Sequence, residues 1–102
     1  MVNSKQKGKN GELEWAQFCR TFGFTEARRG VQYSGIGGDD VVGIPGCHIE
    51  VKRVQNLSIH KAMKQSVDEC KGQTPIVAHR KNNTDWLVTM LAKDWFKLYK
   101  GE

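Results

Sequence analysis

The residues best suited to chemistry are two carboxylates and a lysine within residues 37–52, GGDDVVGIPGCHIEVK. Asp40 precedes a short apolar run, turn residues follow at 43–46, and a second run covers 47–54, so the pattern predicts two adjacent strands. Because side chains alternate along a strand, Glu50 and Lys52 share one face with His48 and lie roughly 7 Å apart. The opposite face is expected to carry Ile49, Val51 and Val54.

This arrangement predicts a metal-dependent phosphodiesterase centre. Asp40 and Glu50 supply the hard oxygen ligands that Mg²⁺ prefers, and a substrate phosphate can complete the coordination. Lys52 is placed to orient a nucleophile and to neutralise charge that develops on phosphorus. A second interpretation stays open, in which Glu50 and Lys52 form an ion pair on a solvated face. The Glu-x-Lys triplet is common, and it occurs again as Glu69-Cys70-Lys71 within a helical pattern.

The composition predicts one small domain with a polyanionic partner. The chain has 102 residues, a net charge of +5 and three cysteines, and its isoelectric point is near 9.3. No apolar stretch approaches the roughly 20 residues of a membrane span, and the first residues lack the apolar segment of a signal peptide. We expect a cytoplasmic protein without a membrane partner. The cysteines are expected to be reduced core thiols, because their number is odd and they are widely spaced.

The N-terminal part is predicted to be a basic, flexible arm over residues 1–10, followed by a helix over residues 11–22. The arm carries Lys5, Lys7 and Lys9, which either contact phosphates or are simply solvated. Glu12 lies on the inward stripe of the helix with Trp15, where an unpaired carboxylate is costly. Glu12 is therefore a candidate site residue, although a helix start favours a carboxylate by its dipole alone.

The remaining elements are predicted from periodicity and turn residues. A strand is expected over 24–33, where Arg28 and Arg29 flank a phosphate path, and a glycine-rich loop follows at 34–38. Ser58 is expected to cap a helix that ends before Gly72. Lys61, Lys64 and Gln65 lie off its apolar stripe, and the two lysines are predicted to bind DNA. Strands over 75–79 and 86–91 are joined by a turn at 82–83, and a short helix follows over 92–99. His48 is predicted to be a flanking polar residue and not a metal ligand.

This order of elements, with a carboxylate on the first helix and Asp40…Glu50-Val51-Lys52 on consecutive strands, resembles the PD-(D/E)XK nuclease superfamily. The similarity is closest to archaeal-type Holliday junction resolvases, also found in phages, and it runs from Lys7 to about His79. It is carried by the following segments of this chain: Lys7-Gly8-Lys9-Asn10-Gly11-Glu12, Gly23-Phe24, Arg28, Ser34-Gly35, Asp40, Glu50-Val51-Lys52 and Gln65. One departure is that the family has Pro-Asp where this chain has Asp39-Asp40; we assign the ligand to Asp40, which directly precedes the strand.

The resemblance implies a restriction-endonuclease-like α/β fold, with a central mixed sheet flanked by helices. It has an αβββαβ core plus a C-terminal strand and short helix. It implies Asp40 and Glu50 as ligands of Mg²⁺, which Mn²⁺ can replace, with the Val51 carbonyl assisting and Lys52 at the nucleophile. The remaining implied catalytic residues are Glu12 as accessory carboxylate, Ser34 near the scissile phosphate and Gln65. The implied activity is that of an endonuclease on branched DNA in a prokaryotic or phage-infected cell.

Three functions follow as alternatives. The first is a homodimeric resolvase of four-way junctions, since two strands must be cut at symmetry-related positions and the chain holds one active centre. The second is another structure-specific or nicking nuclease with the same site. The third is a basic nucleic-acid-binding module whose carboxylates only pair with lysines. The C-terminal aromatic residues offer a dimer contact, which the core of a small domain also needs.

Overall fold

A computed structural model describes the backbone of residues 4–30 and 40–102, and the side chains of these residues from position 8 onward. Five strands form one mixed sheet with the order β1-β2-β3-β4-β5, in which only β3 and β4 run parallel to each other. The elements are α1 (Ser4–Thr21), β1 (Arg28–Arg29), β2 (Val41–Val42), β3 (Cys47–Arg53), α2 (Ile59–Glu69), β4 (Thr74–Arg80), β5 (Leu87–Met90) and α3 (Ala92–Lys100). The predicted α/β class, mixed sheet and element order are confirmed.

One face of the sheet packs against α1. Trp15, Ala16 and Cys19 recur at helical spacing along α1 and form a buried cluster with Ile49 and Val51 of β3. These two residues alternate with the polar side chains of β3, as the strand pattern predicts. Val54 lies beyond the end of β3. It follows Val51 by three positions, so alternation does not put it on the same face as Ile49 and Val51.

The opposite face packs against α2, which connects the parallel strands β3 and β4. Ala62 and Met63 form a second buried cluster with Val77, the residue of β4 that is paired with Glu50. Ser58 is the N-cap of α2 as predicted, although its side chain makes no capping hydrogen bond. Because Glu50 and Val77 are neighbours on one face, α2 covers the polar side of β3 together with an apolar part of β4.

The C-terminal part forms a hairpin and a solvent-exposed helix. β4 and β5 pair antiparallel, and Asn83 in the connecting turn has a φ of 61°, which asparagine tolerates better than most residues. Helix α3 ends at Gly101, whose left-handed conformation caps it. None of the residues of α3 is buried. The predicted turn, strand and helix are confirmed.

The first helix begins earlier than predicted. Residues 4–10, predicted as an arm, belong to α1, so the helix does not start at Gly11. A Cβ atom on Gly11 would lie 2.6 Å from the Cβ atom of Arg53. Gly11 therefore does not mark a helix end. It lies inside α1, where the close approach of the helix to β3 leaves no room for a Cβ atom.

The strand predicted over 24–33 begins later than predicted. Among residues 24–30, which the structure describes, only Arg28 and Arg29 pair with β2, because the chain turns immediately before them, where the Ala27 N–H donates to the Phe24 carbonyl at 3.0 Å. Residues 31–33 and the loop predicted at 34–38 lie outside the described residues. All three cysteines are free, and Cys19 is buried while Cys47 and Cys70 are partly exposed. In the described part of the chain, no helix has the length and apolar character needed to cross a membrane.

Candidate active site

The polar face of β3 and the adjoining side of α2 form the centre of the site. His48, Glu50 and Lys52 alternate with the core residues of β3 and therefore point toward α2. The Lys52 ammonium donates to the Gln65 side-chain oxygen at 3.1 Å. Beside this pair an open groove of about 490 Å³ is lined by residues of β3, α2 and the segment between them, including Lys61 and Ser58. The site is thus accessible from the Lys52 end.

Asp40 reaches the same region from the start of β2. Its Oδ2 atom accepts a hydrogen bond from the Val51 N–H at 2.8 Å, and its own N–H donates to the Ile49 carbonyl at 3.2 Å. Burial raises the pKa of Asp40, and the hydrogen bonds from Val51 and Glu50 oppose this rise. The β2–β3 pairing therefore fixes one carboxylate beside Glu50, as the sequence predicted.

Glu50 is the most enclosed carboxyl group of the site, with only 2% of its side chain exposed. Its Oε1 atom lies 2.9 Å from His48 Nε2. Burial, followed by the neighbouring carboxyl groups of Glu69 and Asp40, raises the pKa of Glu50 to about 9. Without a bound cation, Glu50 is therefore protonated at neutral pH and is within hydrogen-bonding reach of both carboxyl groups.

Glu12 approaches the site from α1. Its Oε1 atom accepts a hydrogen bond from Arg29 Nε at 2.7 Å. Burial raises the pKa of Glu12, the bond from Arg29 lowers it, and the charges of Asp40 and Lys52 act on it in opposite directions. The prediction that Glu12 faces inward is confirmed. The hydrogen bond from Arg29 on β1 offsets the cost of removing the Glu12 carboxylate from water.

The structure thus brings together most of the predicted catalytic residues, namely Glu12, Asp40, Glu50, Lys52 and Gln65. Val51 contributes its N–H to Asp40, whereas the metal contact of its carbonyl stays a prediction. Ser34 and Asp39 lie outside the described residues. The predicted catalytic roles of all these residues stay predictions.

Two residues of the cluster were missed by sequence reasoning. His48 and Glu69 place potential ligand atoms, together with Glu50, within 4.8 Å of one another. Alternation correctly put His48 on the Glu50 face, but the residue was predicted to flank the site and not to be a metal ligand. Glu69 lies three positions after Ser66, a buried residue of α2. Helical spacing could therefore have placed Glu69 on the inward side of this helix.

The predicted DNA-binding residues differ in their surroundings. Lys61 lines the groove beside Lys52, while the Lys64 ammonium is 2.8 Å from Asp68 on the exposed side of α2. Arg28 donates to the Glu26 carbonyl at 3.0 Å, and Arg29 is paired with Glu12. Lys9 is exposed on α1, whereas the side chains of Lys5 and Lys7 lie outside the described ones. Lys61 is thus the best placed of these residues to contact a phosphate near the site.

The arrangement combines carboxyl oxygens that can hold a divalent cation with an ammonium at the open end, where a phosphate can enter. A scan against protein-family models found no match for the chain. Searches of curated proteins and of solved structures likewise found no similar protein.

Proposed function

We propose that this chain is a Mg²⁺-dependent endonuclease of the PD-(D/E)XK type, with a restriction-endonuclease-like fold, that hydrolyses phosphodiester bonds in branched DNA. The observation that carries the proposal is the meeting of Asp40, Glu50 and Lys52 on the C-terminal half of β3, with Glu12 beside them. Two adjacent carboxyl groups that lie close enough to share a proton are unfavourable when both are ionised. A cation between them removes this conflict, which favours a metal site over a simple surface ion pair.

The residues present fit Mg²⁺. Asp40 and Glu50 would hold it through hard oxygen atoms, and Glu12 and the Val51 carbonyl would assist. When bound, Mg²⁺ supplies Lewis-acid chemistry that lowers the pKa of a water molecule and polarises the phosphate. The Val51 N–H fixes the orientation of the Asp40 carboxylate at 2.8 Å, so part of the ligand set is positioned before any cation arrives.

Lys52 has a separate role at the open end of the site. Its ammonium is held by Gln65 at 3.1 Å, a neutral partner that orients the charge without cancelling it. A positive charge that is fixed beside the scissile phosphate stabilises the extra negative charge of the transition state. Gln65 is therefore a positioning residue for Lys52 in this proposal.

Charge and shape favour a nucleic acid as the substrate. The chain has a net charge of +5, and the groove beside Lys52 is open and also carries Lys61. A phosphate backbone can follow such a groove, while the cationic side chains supply affinity that does not depend on sequence. Branched DNA enters the proposal through the resemblance of the motifs to junction resolvases.

A homodimer is part of the proposal, because resolving a junction requires two active centres related by symmetry. The exposed apolar surface of β5 and α3 supports it. Leu87 and Val88 of β5 are more than half exposed, and Trp95, Phe96 and Tyr99 of α3 form an exposed aromatic group. Aromatic side chains of this kind are enriched in protein interfaces.

A second candidate is a non-catalytic DNA-binding module. The Glu12–Arg29 ion pair and the His48–Glu50 contact favour it, because they give the buried carboxyl groups partners within the protein itself. Another structure-specific or nicking nuclease would share the site but needs no dimer. These candidates differ in their requirement for Mg²⁺ and in the number of strands cut for each binding event.

The test is incubation with Mg²⁺ and labelled four-way junction, flap, nicked and linear duplex DNA. We expect cleavage of the junction that stops on chelation and is abolished in Asp40→Asn, while DNA binding is largely kept because phosphate contacts dominate affinity. Asp39→Asn, at the preceding position, is the matched control and is expected to be much milder. Cleavage that survives both chelation and Asp40→Asn would refute the metal assignment.

Sedimentation at micromolar protein, with and without junction DNA, tests the assembly. A dimer in either condition supports the resolvase. A monomer in both conditions that nicks a single strand per binding event leaves the nuclease standing and overturns the junction-resolving role.

A further inference from the structure

The cluster of His48, Glu50 and Glu69 beneath α2 contains a donor set different from the one assigned to Mg²⁺. His48 Nε2 lies 2.9 Å from Glu50 Oε1 and 4.0 Å from Glu69 Oε2. This set includes an imidazole nitrogen, whereas Asp40, Glu50 and Glu12 offer oxygen atoms only. Glu50 belongs to both sets.

The surroundings of this cluster are dry. The side chains of His48 and Glu50 are each only 2% exposed, and the β4 residues paired with them are Pro75 and Val77, which are buried and cannot donate side-chain hydrogen bonds. A buried carboxylate needs a compensating charge or hydrogen bond. One imidazole cannot balance both carboxyl groups once they are ionised, so a dication is the countercharge that lets both lose their protons.

The end of α2 supplies a second, independent reason. The last turn of the helix holds Asp68 and Glu69 and contains no basic residue. Helix C-termini carry partial negative charge and normally attract cationic side chains, so a carboxylate here is unfavourably placed. A cation held by Glu69 would stabilise both the carboxylate and the helix end.

The distances suit a transition metal. Metal–nitrogen and metal–oxygen bonds of 2.0–2.2 Å put adjacent donors roughly 3 to 3.5 Å apart, depending on the coordination angle, and the 2.9 Å between His48 and Glu50 lies near the short end of that range. The longer distance to Glu69 is 4.0 Å, and this side chain is 35% exposed, which leaves it room to move toward the other two donors. An imidazole ligand favours first-row transition metals, whereas Mg²⁺ prefers oxygen ligands alone.

We propose that His48, Glu50 and Glu69 bind a first-row transition-metal dication of the Zn²⁺ or Co²⁺ type at a site that shares only Glu50 with the Mg²⁺ site. The cation would fix the Glu50 carboxyl group from the His48 side while leaving the Asp40 side open. This positioning of Glu50 for catalysis rests on the proposed function. The binding site itself does not, because its ligands are argued from their own geometry.

The test uses Co²⁺ as a spectroscopic probe, added to the full chain in excess Mg²⁺ so that oxygen-only sites are filled. We expect one equivalent of Co²⁺ to bind with visible absorption bands and without the strong near-ultraviolet band of thiolate ligation. Glu69→Gln is expected to weaken this binding at least about 100-fold, since loss of even an outer-shell partner weakens metal sites by about 10–100-fold. His48→Asn is expected to do the same.

Two matched controls isolate the site. Asp68→Asn removes the neighbouring exposed carboxylate, and His60→Asn removes an exposed histidine on the same helix; both are expected to leave Co²⁺ affinity unchanged. If His48→Asn does not fold, the comparison of Glu69→Gln with Asp68→Asn decides the matter. Equal affinity in wild type and Glu69→Gln, or a thiolate band, would overturn the proposal.

Failure of the proposed function has a different signature. Asp40→Asn is expected to lose cleavage and to keep Co²⁺ binding, because Asp40 is not a ligand of this site. A wild-type protein that binds Co²⁺ through Glu69 but cleaves no DNA would refute the nuclease while upholding the metal site. Cleavage together with Co²⁺ affinity that is insensitive to Glu69→Gln would uphold the nuclease and refute the metal site.

Discussion

The two Glu-x-Lys triplets of the chain have the same spacing but very different structures. Glu50-Val51-Lys52 lies within β3, where alternation puts both charged side chains on the face toward α2. Glu69-Cys70-Lys71 spans the end of α2 and the turn that follows, and Lys71 is exposed with a φ of 48°. Glu69 approaches His48, while Lys71 lies in the exposed turn. Of the two triplets, only the one in a strand has its glutamate and lysine side chains on the same face.

The comparison also shows that the second triplet is not independent of the first. The Glu69 carboxyl group is among the neighbours that raise the pKa of Glu50. The second triplet, which the sequence alone presents as an unrelated repeat of the first, therefore affects the ionisation of Glu50 in the folded protein. The strand supplies the pair of functional groups, and the helix end modifies one of them.

The largest expected effect separates the two lysines. Lys52→Ala is expected to slow single-turnover cleavage of saturating DNA by about 10²–10³-fold, because it removes a fixed positive charge from the transition state. Lys71→Ala is expected to leave the rate unchanged. Equal rates in wild type and Lys52→Ala would reduce the first triplet to a surface ion pair, in which case the change alters stability by no more than about 1 kcal/mol.

A second effect, on stability and not on the cleavage rate, concerns the pH dependence of the free energy of unfolding in the presence of a chelator. The pKa of Glu50 rises from 4.5 to about 9 in the folded protein, so between these values the native state holds a proton that the unfolded chain has lost. The free energy of unfolding should therefore fall as the pH rises through this window, by at most about 1.4 kcal/mol per pH unit. Chemical denaturation across this pH range measures the slope.

The variants sharpen this second prediction. Glu50→Gln cannot ionise, and it should remove the Glu50 contribution to the slope. Glu69→Gln deletes one of the carboxyl groups that raise the pKa of Glu50, so this pKa should fall and the pH window should narrow. Asp40, His48 and Lys52 still face Glu50 in this variant. An identical slope in wild type and Glu50→Gln would contradict the assignment of the raised pKa.

The smallest expected effect extends the comparison to two glycines of α1. Gly8 has open space around it, whereas a Cβ atom on Gly11 would meet Arg53 of β3 at 2.6 Å. Gly8→Ala should raise the free energy of unfolding by about 0.5–1 kcal/mol through helix propensity. Gly11→Ala should lower it by about 1–3 kcal/mol through overpacking. Urea titrations measure both, and stabilisation by Gly11→Ala would show that α1 does not need this close approach.

Much of the fold was predictable because strand alternation and helix periodicity are local properties. The order of elements and the grouping of Asp40, Glu50 and Lys52 followed from them. The start of α1 did not, because Gly11 owes its place to a tertiary contact with Arg53. The proximity of Glu69 to Glu50 was not predicted for a related reason, since the parallel pairing of β3 and β4 decides where the end of α2 lies.

Apart from Glu12, the site is also assembled over short stretches of chain. Asp40 and Val51 are separated by 11 positions and Lys52 and Gln65 by 13, through the β2–β3 connection and the segment entering α2. The loop-closure entropy of such contacts is modest, and doubling a loop adds only about 0.6 kcal/mol. We therefore expect the mutual repulsion of its carboxylates, more than the search for partners, to limit the formation of this centre during folding. A divalent cation in the medium should consequently favour late folding steps, when these groups leave water.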